Sequence, residues 1–153
     1  PETTNQVRLE SCLQVLVGLQ LSIARNAADM KVFHFGQIVP HPSARGTVGS
    51  YALHIQCPWR LVAEETVFTG ASDRFVGPVE GTEVHNDDHK SGNRQLIKIA
   101  SLLKGYDAET KSFVNATKQL FVTAVNTDNY GGADLSLSGG YRLQIFPDGS
   151  LGE

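Results

Sequence analysis

The clearest hydrophobic pattern in the chain runs over residues 51–62. Tyr51, Leu53, Ile55, Cys57, Trp59 and Leu61 take every second position, and Ala52, His54, Gln56, Pro58, Arg60 and Val62 take the others. Side chains alternate across a strand, so this spacing predicts one continuous strand with an apolar and a mostly polar face. Burying the apolar side is worth on the order of 1.5–3 kcal/mol per large side chain, before entropy. Pro58 cannot donate to a ladder, which predicts a bend, a bulge or an edge there.

Other segments follow other periods. Leu9, Cys12, Leu13, Leu16 and Val17 recur at helical spacing. Thr3 and Gln6 fit a capping box before them, and Gly18 suits the left-handed position that ends a helix. From Leu19 the period becomes two, with Leu21 and Ile23 alternating with Gln20 and Ser22, a strand signal. The rival reading continues one helix to Ala28. Residues 26–29 make a turn, and 30–39 a second strand with Phe33 and Phe35 on one face, Val32 and His34 on the other. Proline, glycine and serine over 40–50 predict a loop.

Glu64 and Glu65 make a turn before a short strand at 66–70. Residues 71–92 are poor in apolar side chains and read as a long surface loop. Leu96, Ile99, Ala100 and Leu103 mark a helix over 93–103, with Gly105 just past it. The last third is a meander, with strands at 113–116, 120–126, 133–138 and 141–146 and turns at Tyr130-Gly131-Gly132 and Gly139-Gly140. Together these elements predict a single α+β domain over 1–153. It would be a mainly antiparallel sheet of about seven strands, with two helices packed on one face and the other face polar and partly wet.

Composition narrows the class. With 153 residues the prior is about one domain, and a chain of this size hides roughly 70% of its unfolded surface. Hydrophobic residues at 41% and charged residues at 19% argue against disorder, collagen and a disulfide scaffold. A net charge of −3 argues against a nucleic-acid partner, which asks for a basic footprint. No apolar run is long enough to cross a bilayer, and the most apolar stretch, 13–21, follows no basic leader. No membrane association and a cytoplasmic location are therefore expected. With Pro1 first, the expectation is that an initiator Met or a longer N-terminus, which could include a cleaved signal, has been removed, and with the end soon after Pro147, that a C-terminal piece is missing. Cys12 and Cys57 fall at apolar positions and read as buried free thiols. Asn115-Ala116-Thr117 is a glycosylation sequon that would matter only in a secretory setting.

Three clusters carry candidate chemistry. In His85-Asn86-Asp87-Asp88-His89, the side chains of His85, Asp87 and His89 are of the types that hold zinc or another divalent metal. The His-Glu-x-x-His motif is absent, and the plainer reading is a solvated loop. His54, Gln56 and Arg60 share the polar side of the long strand, where His34, Arg142 and Gln144 could join them, depending on register. Guanidinium groups there suit a carboxylate, a phosphate or a protein surface. Arg25 with Asp29, and Asp73 with Arg74, read as local surface charges of small energetic weight. Nucleophilic catalysis finds no Gly-x-Ser-x-Gly elbow, and Cys57 sits on the apolar side of its strand. Nucleotide binding finds no glycine-rich phosphate loop.

The block Leu53-His54-Ile55-Gln56-Cys57-Pro58-Trp59-Arg60 carries a resemblance. With Arg25-Asn26-Ala27-Ala28-Asp29-Met30, Phe33-His34-Phe35-Gly36 and Arg142-Leu143-Gln144-Ile145-Phe146-Pro147, it resembles a family of uncharacterised small bacterial proteins with no attached activity. By analogy with short proteins that accompany toxins, the resemblance implies an immunity-like role, and it supplies no functional residues. The expectation is a non-enzymatic protein-binding module without a cofactor. It would recognise a partner such as a toxin through His54, Gln56, Arg60 and Arg142, with residues 71–92 adapting to it. The alternatives are a metal-dependent hydrolase built on His85, Asp87 and His89, and a small-anion binder using Arg60 and Arg142.

Overall fold

The fold is known from a computed structural model, which describes residues 5–28, 30–40, 47–77 and 93–147. Among them, ten strands form two five-stranded antiparallel sheets where one sheet of about seven strands was expected. The mainly antiparallel character and the two helices are as predicted; the division into two sheets is the correction.

The first sheet grows from the hairpin of β1 (Leu21–Ala27) and β2 (Met30–Pro40), joined where Ala28 takes a left-handed φ of 56°. β3 (Thr47–Ile55) adds to β2, while β7 (Ser112–Asn115) and then β6 (Lys104–Asp107) add beside β1. The second sheet runs β5 (Thr66–Gly70), β4 (Trp59–Ala63), β10 (Tyr141–Ile145), β9 (Ala133–Leu137) and β8 (Val122–Thr127). The Gly139-Gly140 turn closes the β9–β10 hairpin, both glycines at positive φ.

The run over 51–62 is therefore two strands in two sheets. Residues 56–58 are the crossover between β3 and β4. Pro58 brings no N–H to be satisfied there, and its carbonyl accepts the Phe146 N–H at 3.0 Å. The alternation survives the break: Ile55 faces in from one sheet, and Trp59 and Leu61 from the other, all buried. A second junction ties the sheets together. There the Gly18 N–H donates to Val122 O at 2.7 Å, Val122 N–H to Leu19 O at 2.8 Å, and Leu21 N–H to Leu120 O at 2.9 Å.

The inner faces share one core. Leu21, Ala24, Phe33, Phe35 and Ile55 meet Trp59, Leu61, Val122, Leu135 and Leu143. Phe33 and Trp59 join the sheets edge to face, with ring centroids 5.3 Å apart and planes at 86°. The second sheet thus covers the apolar face that the helices were expected to cover. α1 (Asn5–Gln14) precedes Leu16 and packs along β8, and it adds Leu13 to the core. α2 (Arg94–Leu103) packs against β5 of one sheet and β6 and β7 of the other, burying Ile99 and Leu103. Asn93 caps α2, its Oδ1 accepting the Leu96 N–H at 2.9 Å, and Lys104 ends it at φ 67°.

Other expectations change in detail. Residues 47–50, read as loop, begin β3, and the start of the long loop, Ala71–Phe75, is a 3₁₀ turn. β6 was not foreseen, since its lone apolar side chain, Tyr106, is exposed. Cys12 is exposed rather than buried, because α1 turns Leu13 and not Cys12 inward, and Cys57 is half-buried. The sequon asparagine is structural: the buried Asn115 Nδ2 donates to Leu21 O at 2.7 Å and to Gln119 O at 2.9 Å. Among the described residues no helix is long and apolar enough to cross a membrane.

Replacing Trp59 with Ala should destabilise the protein by about 3–5 kcal/mol, because the cavity would open where the sheets meet. Tyr130→Ala, at a side chain 84% exposed, should change stability by no more than about 0.5 kcal/mol. Urea unfolding followed by circular dichroism reads both.

Candidate functional site

At the crossover between the sheets lies a cleft of about 320 Å³, at the small end of ligand sites, which run to roughly 300–1,000 Å³. Its walls come from five places: Asn26 on β1, Lys31 on β2, the crossover with Gln56 and Cys57, the 3₁₀ turn with Arg74, and Gln95 on α2. Trp59 and Ile55 supply apolar wall.

Lys31 stands out. Stepping back by two from Phe35 and Phe33 along β2 lands on it, so it shares their inward face. It is only 3% exposed. Its Nζ donates to Asn26 Oδ1 at 3.3 Å and lies 6.0 Å from the Phe33 ring centroid. Among the described residues no carboxylate reaches ion-pair distance of it. Burial pushes its pKa down to about 7, and the Arg74 guanidinium pushes in the same direction. At neutral pH the amine is therefore shared between charged and free forms.

The turn that carries Arg74 is pinned from below. Gln95 is buried, and its Nε2 donates to Gly70 O at 3.0 Å and Ala71 O at 3.4 Å. Within the turn, Asp73 accepts the Thr69 hydroxyl at 3.0 Å. The cleft is thus framed by secondary structure on most sides, and its cationic groups come from a strand and a braced turn.

The residues singled out from the sequence fall in separate places. Gln56 lines the cleft. His54 lies on the outer face of the first sheet, opposite Val32. That face is less wet than expected, because Ile23, Val32 and His34 are buried in it. Gly49 N–H points at His34 Nδ1, and Arg25 Nε–H at Nε2, each at 3.1 Å. A neutral imidazole accepts at one nitrogen only, so these two donors compete for one lone pair. Burial, then Arg25, then His54 push the His34 pKa down to about 4, which keeps it neutral at pH 7. Arg25 thus contacts His34; Asp29, its expected partner, lies outside the described residues.

Arg60 and Arg142 sit on the outer face of the second sheet, away from His54. Arg60 Nε donates to Gln144 Oε1 at 2.6 Å, Gln144 Nε2 donates to Asp134 Oδ2 at 3.1 Å, and Arg142 forms an ion pair with Asp134. The Arg60 guanidinium lies 5.5 Å from the Phe146 ring centroid. His85, Asp87 and His89 lie outside the described residues, among which no group of three or more His, Cys, Asp or Glu could hold a metal. Comparison with protein-family models, curated proteins and solved structures finds no match to this chain.

Sequence reasoning missed Lys31 and gave Arg74 only a surface role. The signal for Lys31 was present, as a charged residue in phase with Phe33 and Phe35. Nothing local ties Arg74 to it, since they stand 43 positions apart (74 − 31).

A lysine whose folded pKa lies below its unfolded value near 10.4 leaves the folded state with fewer bound protons between those limits. Stability should therefore rise as pH goes from about 7 towards 10, by at most about 1.4 kcal/mol per unit. Lys31→Met should be more stable than the wild type at pH 7 and should lose this part of the rise. Urea titrations of both proteins across that range make the comparison.

Proposed function

We propose that this protein is a ligand-binding domain and that its ligand is a small anion held in the cleft between the sheets. The observation that carries the reading is Lys31, buried at the cleft with no carboxylate at ion-pair distance among the described residues. A buried ammonium without a counter-charge is costly, and proteins ordinarily pair it. Here the charged neighbour that shifts it is a second cation, Arg74. A carboxylate or phosphate entering the cleft would supply a counter-charge to Lys31, with the Arg74 guanidinium beside it able to add a bidentate contact. Trp59 and Ile55 leave room for a small apolar part of the ligand. This is the small-anion alternative of the sequence, moved from Arg60 and Arg142 to Lys31 and Arg74.

A ligand that binds only the folded state raises its stability, by about 2.7 kcal/mol at a hundredfold excess over Kd. Inorganic phosphate and small carboxylates should raise the melting temperature of the wild type in a dose-dependent way. Arg74→Gln and Lys31→Met should each abolish most of that rise. If no anion shifts the wild type at tens of Kd for a millimolar site, the proposal fails.

A second reading is favoured by the outer face of the second sheet. There Arg60, Gln144, Asp134 and Arg142 hold one another in a fixed ladder beside Phe146, itself 42% exposed. A pre-ordered polar ladder next to an exposed ring is a fitting surface for a protein partner. The immunity-like module, with a toxin as partner, is its concrete form. Charge reversal by Arg60→Glu with Arg142→Glu should then abolish capture of the partner from host extract, while anion-induced stabilisation stays intact. Unchanged capture by the double variant would rule that face out.

A further inference from the structure

We propose that Lys31 is a nucleophilic amine that condenses with the carbonyl group of a small oxo-carboxylate, whose carboxylate is held by Arg74. The inference rests on the anion-binding reading above and names the ligand class for the same cleft. Three features of the site converge on it. Lys31 is buried on an inward strand position, yet its side chain is part of the lining of a cleft large enough for a small molecule. A guanidinium lines that cleft as well and gives a carboxylate a place to dock. The apolar walls of Ile55 and Trp59 keep the amine poorly solvated.

These are the conditions that turn lysine into a nucleophile. An ordinary lysine, with a pKa near 10.4, is free amine at pH 7 in only about one molecule in 2,500. Desolvation and a neighbouring cation both raise that fraction, and Lys31 has both, with its pKa pushed down to about 7. Asn26 Oδ1 accepts one N–H of the amine at 3.3 Å and so limits its orientation. The contacts that the structure gives the amine, one hydrogen bond to Asn26 and the face of Phe33, leave it without a carboxylate partner among the described residues.

The step balances without a co-reactant. The amine nitrogen attacks the carbonyl carbon, a C–N bond forms, and the carbonyl π pair moves to oxygen. A proton passes from nitrogen to that oxygen to give the carbinolamine. Loss of hydroxide together with a proton then releases water and leaves the imine. Nothing is oxidised or reduced. The imine nitrogen can take a proton from solvent to become an iminium, and the adduct's carboxylate, set at Arg74, compensates that charge.

Trapping tests this directly. The 153-residue chain is incubated with glyoxylate or pyruvate at neutral pH, reduced with cyanoborohydride, digested and mapped by mass spectrometry. The expected result is a stable adduct on Lys31 that forms at least tenfold faster than on any of the other five lysines. Arg74→Gln should slow it by about the same factor, whereas an adduct formed equally fast in that variant overturns the assignment of the carboxylate to Arg74. Lactate, which carries the carboxylate without the carbonyl, is the control, read by melting temperature. If lactate stabilises the protein while Lys31 stays unmodified, the nucleophile is overturned and anion binding stands. If neither an adduct nor stabilisation by any anion is seen, both fall together.

Discussion

The fold depends on the packing of two sheets against each other through their inner faces, with the Phe33–Trp59 edge-to-face contact at the centre. Among the described residues each sheet has five strands and an apolar face that water would penalise, and each covers the other. The chain makes this arrangement with little connecting length. Three residues, 56–58, carry it from β3 to β4, so Ile55 and Trp59 must lie near each other on opposite walls. Residues in such a crossover belong to neither ladder. The place where they leave the sheets is where space opens, and that is where the cleft lies.

The same packing explains why a lysine is buried there. β2 is held in register by Phe33 and Phe35, both fully buried, and by their partners on β1 and β3. Side-chain period along a strand is two, so Lys31 has no choice of face. Turning it outward would require a one-residue slip that expels both phenylalanines. The cost of losing two buried aromatic rings, several kcal/mol, exceeds what a partly neutralised amine forfeits. Core register therefore holds the amine in the cleft.

What was legible in the sequence was local. The alternation from Leu53 to Leu61, the Gly139-Gly140 hairpin, the stripe of α2 and the burial of Trp59 all depend on neighbours a few residues away, and each survives in the structure, whereas Tyr51, the first apolar position of the run, is exposed. What was not legible was the assignment of strands to sheets. The 51–62 pattern reads identically whether one strand or two carry it, and only Pro58 hinted at the break. β6 escaped because its four residues offer one exposed ring and no periodicity. The candidate site was half visible: Gln56 belongs to it, Lys31 was readable by phase, and Arg74 reaches it only through the fold. His54, Arg60 and Arg142, grouped by their polar character, are divided between the outer faces of two sheets.

That division separates two kinds of positive charge. Arg142 is exposed and already paired with Asp134, and Gln144 links Arg60 to the same carboxylate. Such charges are screened by water and salt, and adding an anion to them gains little. Lys31 sits in the opposite regime. It is buried, the cation that influences it most is of like sign, and its surroundings weaken solvent screening. An incoming negative charge would meet less competition from water there than at the outer ladder. The outer polar face that drew attention in the sequence is thus already internally paired, whereas Lys31 is the one buried lysine among the described residues.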